Sequence, residues 1–327
     1  MLQPIRAAMF GLVLAIALVA TAHAQPGSKL PVIGILATGT QRTAAPYPAL
    51  ERALRDLGLV DGQNVRIEFR TAEGKADRLP GLAAELVRAN VDVLVAGGTL
   101  PSVEAARSAS RVVPIVMIAV DFDPLAAKLV SSFRRPGGNI TGVFVRQIEL
   151  TAKRMELLKE IVPKARRIAI LSDDFTVDQL KMAESTARSF GLLLQPIEFH
   201  KLPYDYIAAF GNAVKERSGA ALVTVGPIFW RDRARVIEVA RQQRMPTMFP
   251  LPEFADAGGL IAYGAKLEAT FASAAPYIDK ILKGVKPADL PIEQPKSFEL
   301  VVNMKAAQAI GVTIPESVRL RVDRVVE

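Results

Sequence analysis

Short apolar runs alternate with amphipathic stretches along almost the whole chain. Residues 31–37, 91–96, 114–120 and 140–145 are runs rich in Val, Ile and Ala, and 64–70 alternates apolar and polar with period two; all five read as strands. Helical spacing marks 47–57, 76–88, 102–110 and 125–133 between them. The rhythm then restarts. Helix 150–161 carries Leu150, Met155, Leu158 and Ile161 on one side, and strands are expected at 167–171, 193–199, 221–225, 246–249 and 259–263. Helices are expected at 177–190, 206–217 and 229–243. A helix over 267–282 precedes a stretch interrupted by Pro287, Pro291 and Pro295, then strand 298–303 and helix 304–310. Strand–helix alternation favours parallel pairing with right-handed crossovers, so two successive units predict two doubly wound α/β lobes. The proline-stiffened return near the end fits a chain that crosses back to an earlier sheet.

Composition narrows this picture. Aromatics make up only 6% of the chain, which suits parallel α/β layers better than a β-sandwich. Residues 1–24 read as a cleaved secretory signal: Arg6 supplies the positive start, 7–20 is an uninterrupted apolar run, and Ala22-His23-Ala24 is a small-x-small site before Gln25. The apolar run is shorter than the roughly 20 residues a membrane span needs. Export to the periplasm with cleavage after Ala24 is therefore expected. The chain has no cysteine, which excludes disulfides, thiol nucleophiles and thiolate metal sites. Of its two histidines only His200 lies beyond the signal, so a multi-histidine metal site cannot be built. The net charge of +8 is spread among acids rather than blocked, and its densest cluster, Arg231-Asp232-Arg233-Ala234-Arg235, is interrupted; a mixed solvated surface is expected, not a nucleic-acid face.

Ligands of open α/β sheets bind beyond the carboxyl ends of strands, where helix N-termini aim unpaired N–H groups outward. The strand-to-helix loops supply the candidate ligand-binding residues: Thr38, Gly39 and Thr40; Gly97, Gly98 and Thr99; Asp121 and Asp123; Asp173 and Asp174; Gly226 and Phe229; and Glu253. Thr99 before Leu100-Pro101, and Asp123 before Pro124, also read as helix caps. Trp230 is either core or a stacking wall. Neither a phosphate-loop spacing nor a dinucleotide glycine fingerprint occurs at these loops. No nucleophile–base–orienter set can be assembled, so binding without turnover is expected, with no catalytic residue, metal or cofactor.

Several segments together resemble the substrate-binding proteins of ABC transporters, in particular the TrpX-like, tryptophan/tyrosine-type family. They are Pro31-Val32-Ile33-Gly34, 58–65 (GLVDGQNV), 135–142 (RPGGNITG), 152–158 (AKRMELL), 283–291 (KGVKPADLP) and 298–301 (FELV). Where that family often has Asn-Pro-Asn, this chain has Ser172-Asp173-Asp174. The resemblance implies a type I periplasmic binding protein fold, two lobes joined by three crossovers. The N-terminal lobe would comprise 28–145 plus 260–294 and the C-terminal lobe 146–259 plus 295–327. It further implies capture of a small solute, in some members an aromatic amino acid, and delivery by a monomer to an inner-membrane permease and its ATPase. A secreted α/β enzyme and a solute-sensing module that docks on a receptor remain alternatives. A DNA-binding regulator would need a helix-turn-helix where the export signal stands.

Overall fold

A computed structural model describes residues 29–120, 122–145, 147–295 and 297–327. Residues 1–24, on which the export signal is expected, and Asp121 lie outside them. In chain order the elements are β1 (Val32–Ala37), α1 (Tyr47–Asp56), β2 (Arg66–Thr71), α2 (Leu79–Arg88), β3 (Val93–Gly98), α3 (Leu100–Ala109), β4 (Ile115–Ala119), β5 (Ile140–Phe144), α4 (Gln147–Ile161), β6 (Arg167–Asp173) and α5 (Val177–Ser189). They continue with β7 (Leu193–Phe199), α6 (Tyr206–Lys215), β8 (Ala220–Val223), α7 (Pro227–Arg231), α8 (Arg233–Gln242), β9 (Thr247–Phe249), α9 (Pro252–Asp256), β10 (Ile261–Gly264), α10 (Leu267–Ala272), α11 (Ala275–Leu282), β11 (Glu299–Asn303), α12 (Met304–Ile310), α13 (Glu316–Arg319) and β12 (Arg324–Val326).

The strands form two sheets, ordered β2-β1-β3-β4-β5 and β12-β11-β10-β9-β8-β6-β7. The first is parallel throughout; the second is parallel except where β10 runs against β11. Both faces of the central strands are covered, which is why β1 and β4 read as continuous apolar runs rather than alternating ones. Ile33 and Ile35 face α1, α10 and α11 through Leu50, Leu54, Phe271 and Ile278, whereas Val32 and Leu36 face α2 and α3 through Leu79, Leu86 and Val103. On the second sheet Ile168 and Ile170 pack with Met155, Leu158 and Leu180, and the opposite face packs with Phe210, Val236 and Phe254. The inner core is continuous from one sheet to the other.

The fold is the expected α/β architecture of two parallel-dominated lobes, and the chain passes between the sheets three times: after β5, after β10 and before β11. Several details differ from expectation. The strand expected at 259–263 belongs to the second sheet, because β10 pairs with β9 and β11, so the second crossing falls after Gly264 and not at residue 260. No helix forms over 125–133: Asp123 Oδ1 accepts from the N–H groups of Leu125 and Ala126, and Lys128 takes a left-handed conformation that ends the turn. The stretch 229–243 is two helices, α7 and α8, divided at Asp232, and 267–282 is likewise divided into α10 and α11. Helices α9 and α13 and strand β12 were not expected at all, being too short to show a period.

One buried cation fixes the crossings. Arg154 on α4 is 1% exposed and donates to the Gln147 side chain (2.6 Å), the Pro250 carbonyl (2.8 Å) and the Tyr263 carbonyl (2.7 Å). Burial lowers its pKa to about 9, so the group is still charged at neutral pH. The guanidinium thereby ties the start of α4, the loop before α9 and the end of β10 to one point. Arg154→Met would leave three buried acceptors without a donor. A loss of about 3–5 kcal/mol is expected, read as a lower denaturant midpoint.

Candidate functional site

Parallel pairing sends the strand-to-helix loops of a sheet to the same end, the antiparallel β11 excepted, and the two ends face each other across a cleft. The switch in strand order of the first sheet falls between β1 and β3. There the loops meet: Thr38 Oγ1 and Thr99 Oγ1 share a hydrogen bond of 2.8 Å, and both residues are buried. Thr99 stands at the N-cap position of α3, yet its side chain makes no capping bond; the hydroxyl is committed to Thr38 instead. Ser102 supports the turn from below, donating to the Thr99 and Gly97 carbonyls.

The pocket that opens here is walled by Thr38, Gly39, Thr40, Pro46, Tyr47, Gly97, Gly98, Thr99 and Val120 from the first sheet's loops. Val225, Gly226, Pro227, Trp230 and Leu251 come from the second sheet's side, and Leu267 and Phe271 from α10. It holds about 510 Å3 of empty space, counting the part continuous with solvent. Helices α1, α3, α7 and α9 begin at this pocket, each with proline in the first turn and none with a side-chain cap. The prolines have no N–H to offer, and Tyr47, Ala49, Ser102 and Phe254 already donate to the Ala44, Pro46, Thr99 and Leu251 carbonyls, so what these helix starts turn toward the pocket is chiefly the positive end of the dipole, a setting for a carboxylate or another acceptor. Three aromatic rings supply the apolar walls. Tyr47 meets Phe69 edge-on at 4.9 Å and Phe271 at 5.3 Å, and Trp230 meets Phe254 at 6.0 Å. Burial pushes the Tyr47 phenol above its ordinary value, its hydrogen bond with Thr40 acting the other way. Among the described residues no charged side chain lines the pocket.

Two glycines are required by space. A Cβ on Gly97 would lie 3.2 Å from the Phe271 ring and 3.3 Å from the Tyr47 hydroxyl. A Cβ on Gly39 would lie 2.8 Å from the Pro227 ring, at the point where the two lobes touch.

Of the residues singled out from sequence, Thr38, Gly39, Thr40, Gly97, Gly98, Thr99 and Gly226 come together as pocket wall. Five others do not. Asp123 is spent on the turn after β4. Asp173 lies behind the wall: Oδ1 accepts from the Phe175 N–H and Oδ2 from the Tyr204 hydroxyl, and a Cβ on Gly226 would sit 3.1 Å from Oδ2. Asp174 is exposed and pairs with His200 at 2.7 Å, which holds the imidazole pKa above its ordinary value. Phe229 is fully buried among Phe199, Tyr204 and Tyr206. Glu253 accepts from the Leu267 N–H at 2.7 Å and so anchors the start of α10. In the loops 226–230 and 250–254 the pocket wall is made by Gly226, Pro227, Trp230 and Leu251, and not by Phe229 or Glu253. Because α7 is helical from Pro227, Phe229 and Trp230 point about 100° apart, and Trp230 takes the pocket side. Tyr47 and Phe271 were missed because they lie on helices whose apolar faces read as ordinary core.

The Gly39 and Asp173 positions each give an expected outcome. Gly39→Ala forces the lobes apart at Pro227, and solute affinity should fall at least about fivefold by calorimetric titration. Burial raises the Asp173 carboxyl from 3.8 to about 6. An acid with a raised folded-state pKa holds its proton more tightly in the folded chain. Folding therefore gains stability as pH drops through 6 toward 4, and bears the full cost of the buried anion above 6. Relative to Asp173→Asn, the wild type should gain about 1 kcal/mol between pH 7 and pH 5, measured by urea unfolding.

Comparison with known proteins places this geometry. A relative in Clostridioides difficile (strain R20291), described as a tyrosine-binding protein, is 26% identical over 269 residues, covering 79% of this chain and 74% of its own. A solved structure of a conserved domain protein from Vibrio cholerae superposes with a TM-score of 0.81 at 26% identity, over 91% of this chain and 100% of that one. The structure of an ABC domain in complex with L-Trp from Streptococcus pneumonia superposes with a TM-score of 0.79 at 25% identity, over the same shares. The sequence profile of the family described as ABC transporter substrate binding protein matches residues 41–326. With the two facing parallel sheets and the pocket between them, the chain belongs to the ABC transporter substrate binding protein family.

Proposed function

We propose that the protein captures a small solute bearing a carboxylate and a flat apolar group, an aromatic amino acid in the simplest case, and releases it unchanged to an ABC permease. One observation carries this reading: aromatic walls and four uncapped helix N-termini converge on a pocket between the lobes. In this reading the Leu100 N–H at the start of α3, with the one hydroxyl proton that the Thr38–Thr99 pair leaves unspent, holds the carboxylate. Each neutral hydrogen bond is worth about 1 kcal/mol net, and more when the acceptor is charged. Tyr47, Trp230 and Phe271 enclose the ring, where offset or edge-on aromatic contact adds about 0.5–1.5 kcal/mol beyond burial. Asp121, which follows the pocket-lining Val120 in the chain but lies outside the described residues, is the sequence candidate for pairing with the solute amine. Asp173 serves behind Gly226 as a buried acidic support.

Delivery follows from closure. The open protein admits solute between the lobes, and the closed form offers the permease, with its ATPase in the inner membrane, one composite surface. The protein acts in the periplasm as a monomer after removal of residues 1–24. The relatives' described ligands, tyrosine and L-Trp, support the aromatic amino-acid class. Among the described residues no helix is long and apolar enough to cross a membrane, and no three His, Cys, Asp or Glu side chains gather as a metal site.

Titration calorimetry with L-tryptophan, L-tyrosine and L-phenylalanine tests the reading. Saturable binding with a negative heat-capacity change is expected, with the solute recovered intact afterwards. No heat and no thermal shift at millimolar concentrations of all three would count against it, and a chemically altered solute would favour the enzyme alternative. Asp121→Asn should weaken L-tryptophan at least about tenfold while leaving indole-3-propionate, which lacks the amine, little changed.

A further inference from the structure

We propose that a cavity between the loop after β4, the start of α4 and helix α5 is a second small-molecule site. It takes a compact, neutral, apolar molecule bearing one carbonyl oxygen, with the Gln147 side-chain amide as its hydrogen-bond donor. The cavity has about 550 Å3 of empty space, counting the part continuous with solvent, and shares no wall residue with the solute pocket. Phe122 comes from the loop after β4, Phe144 from the end of β5, Ile148 from α4 and Met182 from α5, so both lobes contribute to its apolar wall. Phe122 and Phe144 are buried, and Phe133 stacks on Phe144 at 5.3 Å.

Gln147 brings a buried polar group to this wall. The residue is held at three points. Its N–H donates to the Val145 carbonyl at 2.8 Å, its carbonyl accepts from the Thr151 hydroxyl at 3.0 Å, and Oε1 accepts from Arg154 Nη2 at 2.6 Å. Arg154 has only N–H groups to offer, so a flipped amide would set donor against donor. The amide is therefore fixed in one orientation, and that orientation leaves Nε2 a donor with no hydrogen-bond partner among the described residues. A buried donor left in this way is unfavourable, and a guest with an acceptor oxygen removes the penalty. The remaining wall decides which acceptor fits. Asp123 and Glu149 line the same cavity, so a carboxylate or phosphate guest would meet like charge. An ammonium would bring a donor to the Nε2 donor, and a plain hydrocarbon would leave Nε2 as it stands. A carbonyl on a small apolar body meets all three conditions.

Cyclohexanone is the probe, with cyclohexanecarboxylate and cyclohexylammonium carrying the two other head groups on the same ring. The Gln147 side-chain NH2 signals, identified by their absence from Gln147→Glu, should shift saturably with cyclohexanone, which should bind at least about tenfold more tightly than either ion. Gln147→Glu keeps an acceptor for Arg154 and removes the donor. Followed at the Met182 methyl signal, its cyclohexanone affinity should be at least about tenfold weaker than that of wild type. Met182→Phe narrows the cavity from the second lobe and should weaken the probe as well, so it decides if the first variant fails to fold. The titration stands whether or not L-tryptophan binds in the solute pocket, and saturating L-tryptophan should leave it unchanged. Absence of a saturable shift up to about 50 mM, undiminished affinity in either folded variant, or displacement of cyclohexanone by L-tryptophan would overturn the site.

Discussion

Parallel strand pairing brings the strand-to-helix loops of a sheet to one end, those of the antiparallel β11 excepted, and two such ends face each other here. The convergence of helix N-termini on a single pocket follows from that constraint. Because α1, α3, α7 and α9 each carry proline in the first turn and no side-chain cap, the positive ends of their dipoles face the pocket unneutralised by a capping side chain. The committed hydroxyl pair Thr38–Thr99 shows the same economy: a residue placed to cap its own helix bridges β1 and β3 instead.

Closing two lobes over a pocket asks for a stable hinge and a tight, dry contact. Arg154 serves the hinge, gathering three acceptors around a buried cation that has no carboxylate partner among its hydrogen bonds. Gly39 serves the contact, since the absence of a side chain lets Pro227 approach. Polar groups behind the wall are likewise fully used. Gln179 donates to the Val225 carbonyl and accepts from its N–H, fixing the loop that carries Gly226 into the pocket. A rigid wall of this kind keeps the ordering cost of solute binding low.

Much of the architecture was legible in the sequence, because the period of apolar positions reports strand and helix directly. Long elements such as α4 and the buried strands β1 and β4 appear where their pattern lies. The failures share a physical cause: they depend on tertiary contact or on single residues. Lys128 in a left-handed turn stops a helix that the apolar spacing of 125–133 would allow. β10 joins the second sheet through pairing with β11, a partner whose place in the sheet no local pattern gives. In the site, glycines and threonines at strand ends were readable because backbone proximity to a ligand needs small residues. The aromatic walls were not, since Phe271 reaches the pocket from a helix far along the chain. The acids Asp123, Asp174 and Glu253 are consumed by a turn, a surface pair and a helix start.

The central claim is that the space between the lobes is a resting place for a small, unreacted molecule. Native mass spectrometry of protein purified without added solute tests it most directly. A one-to-one adduct whose released mass matches an intact aromatic amino acid, lost on partial unfolding and refolding and regained on adding that compound, is the expected result. Protein that emerges empty and gains no adduct from a mixture of the aromatic amino acids would contradict the account.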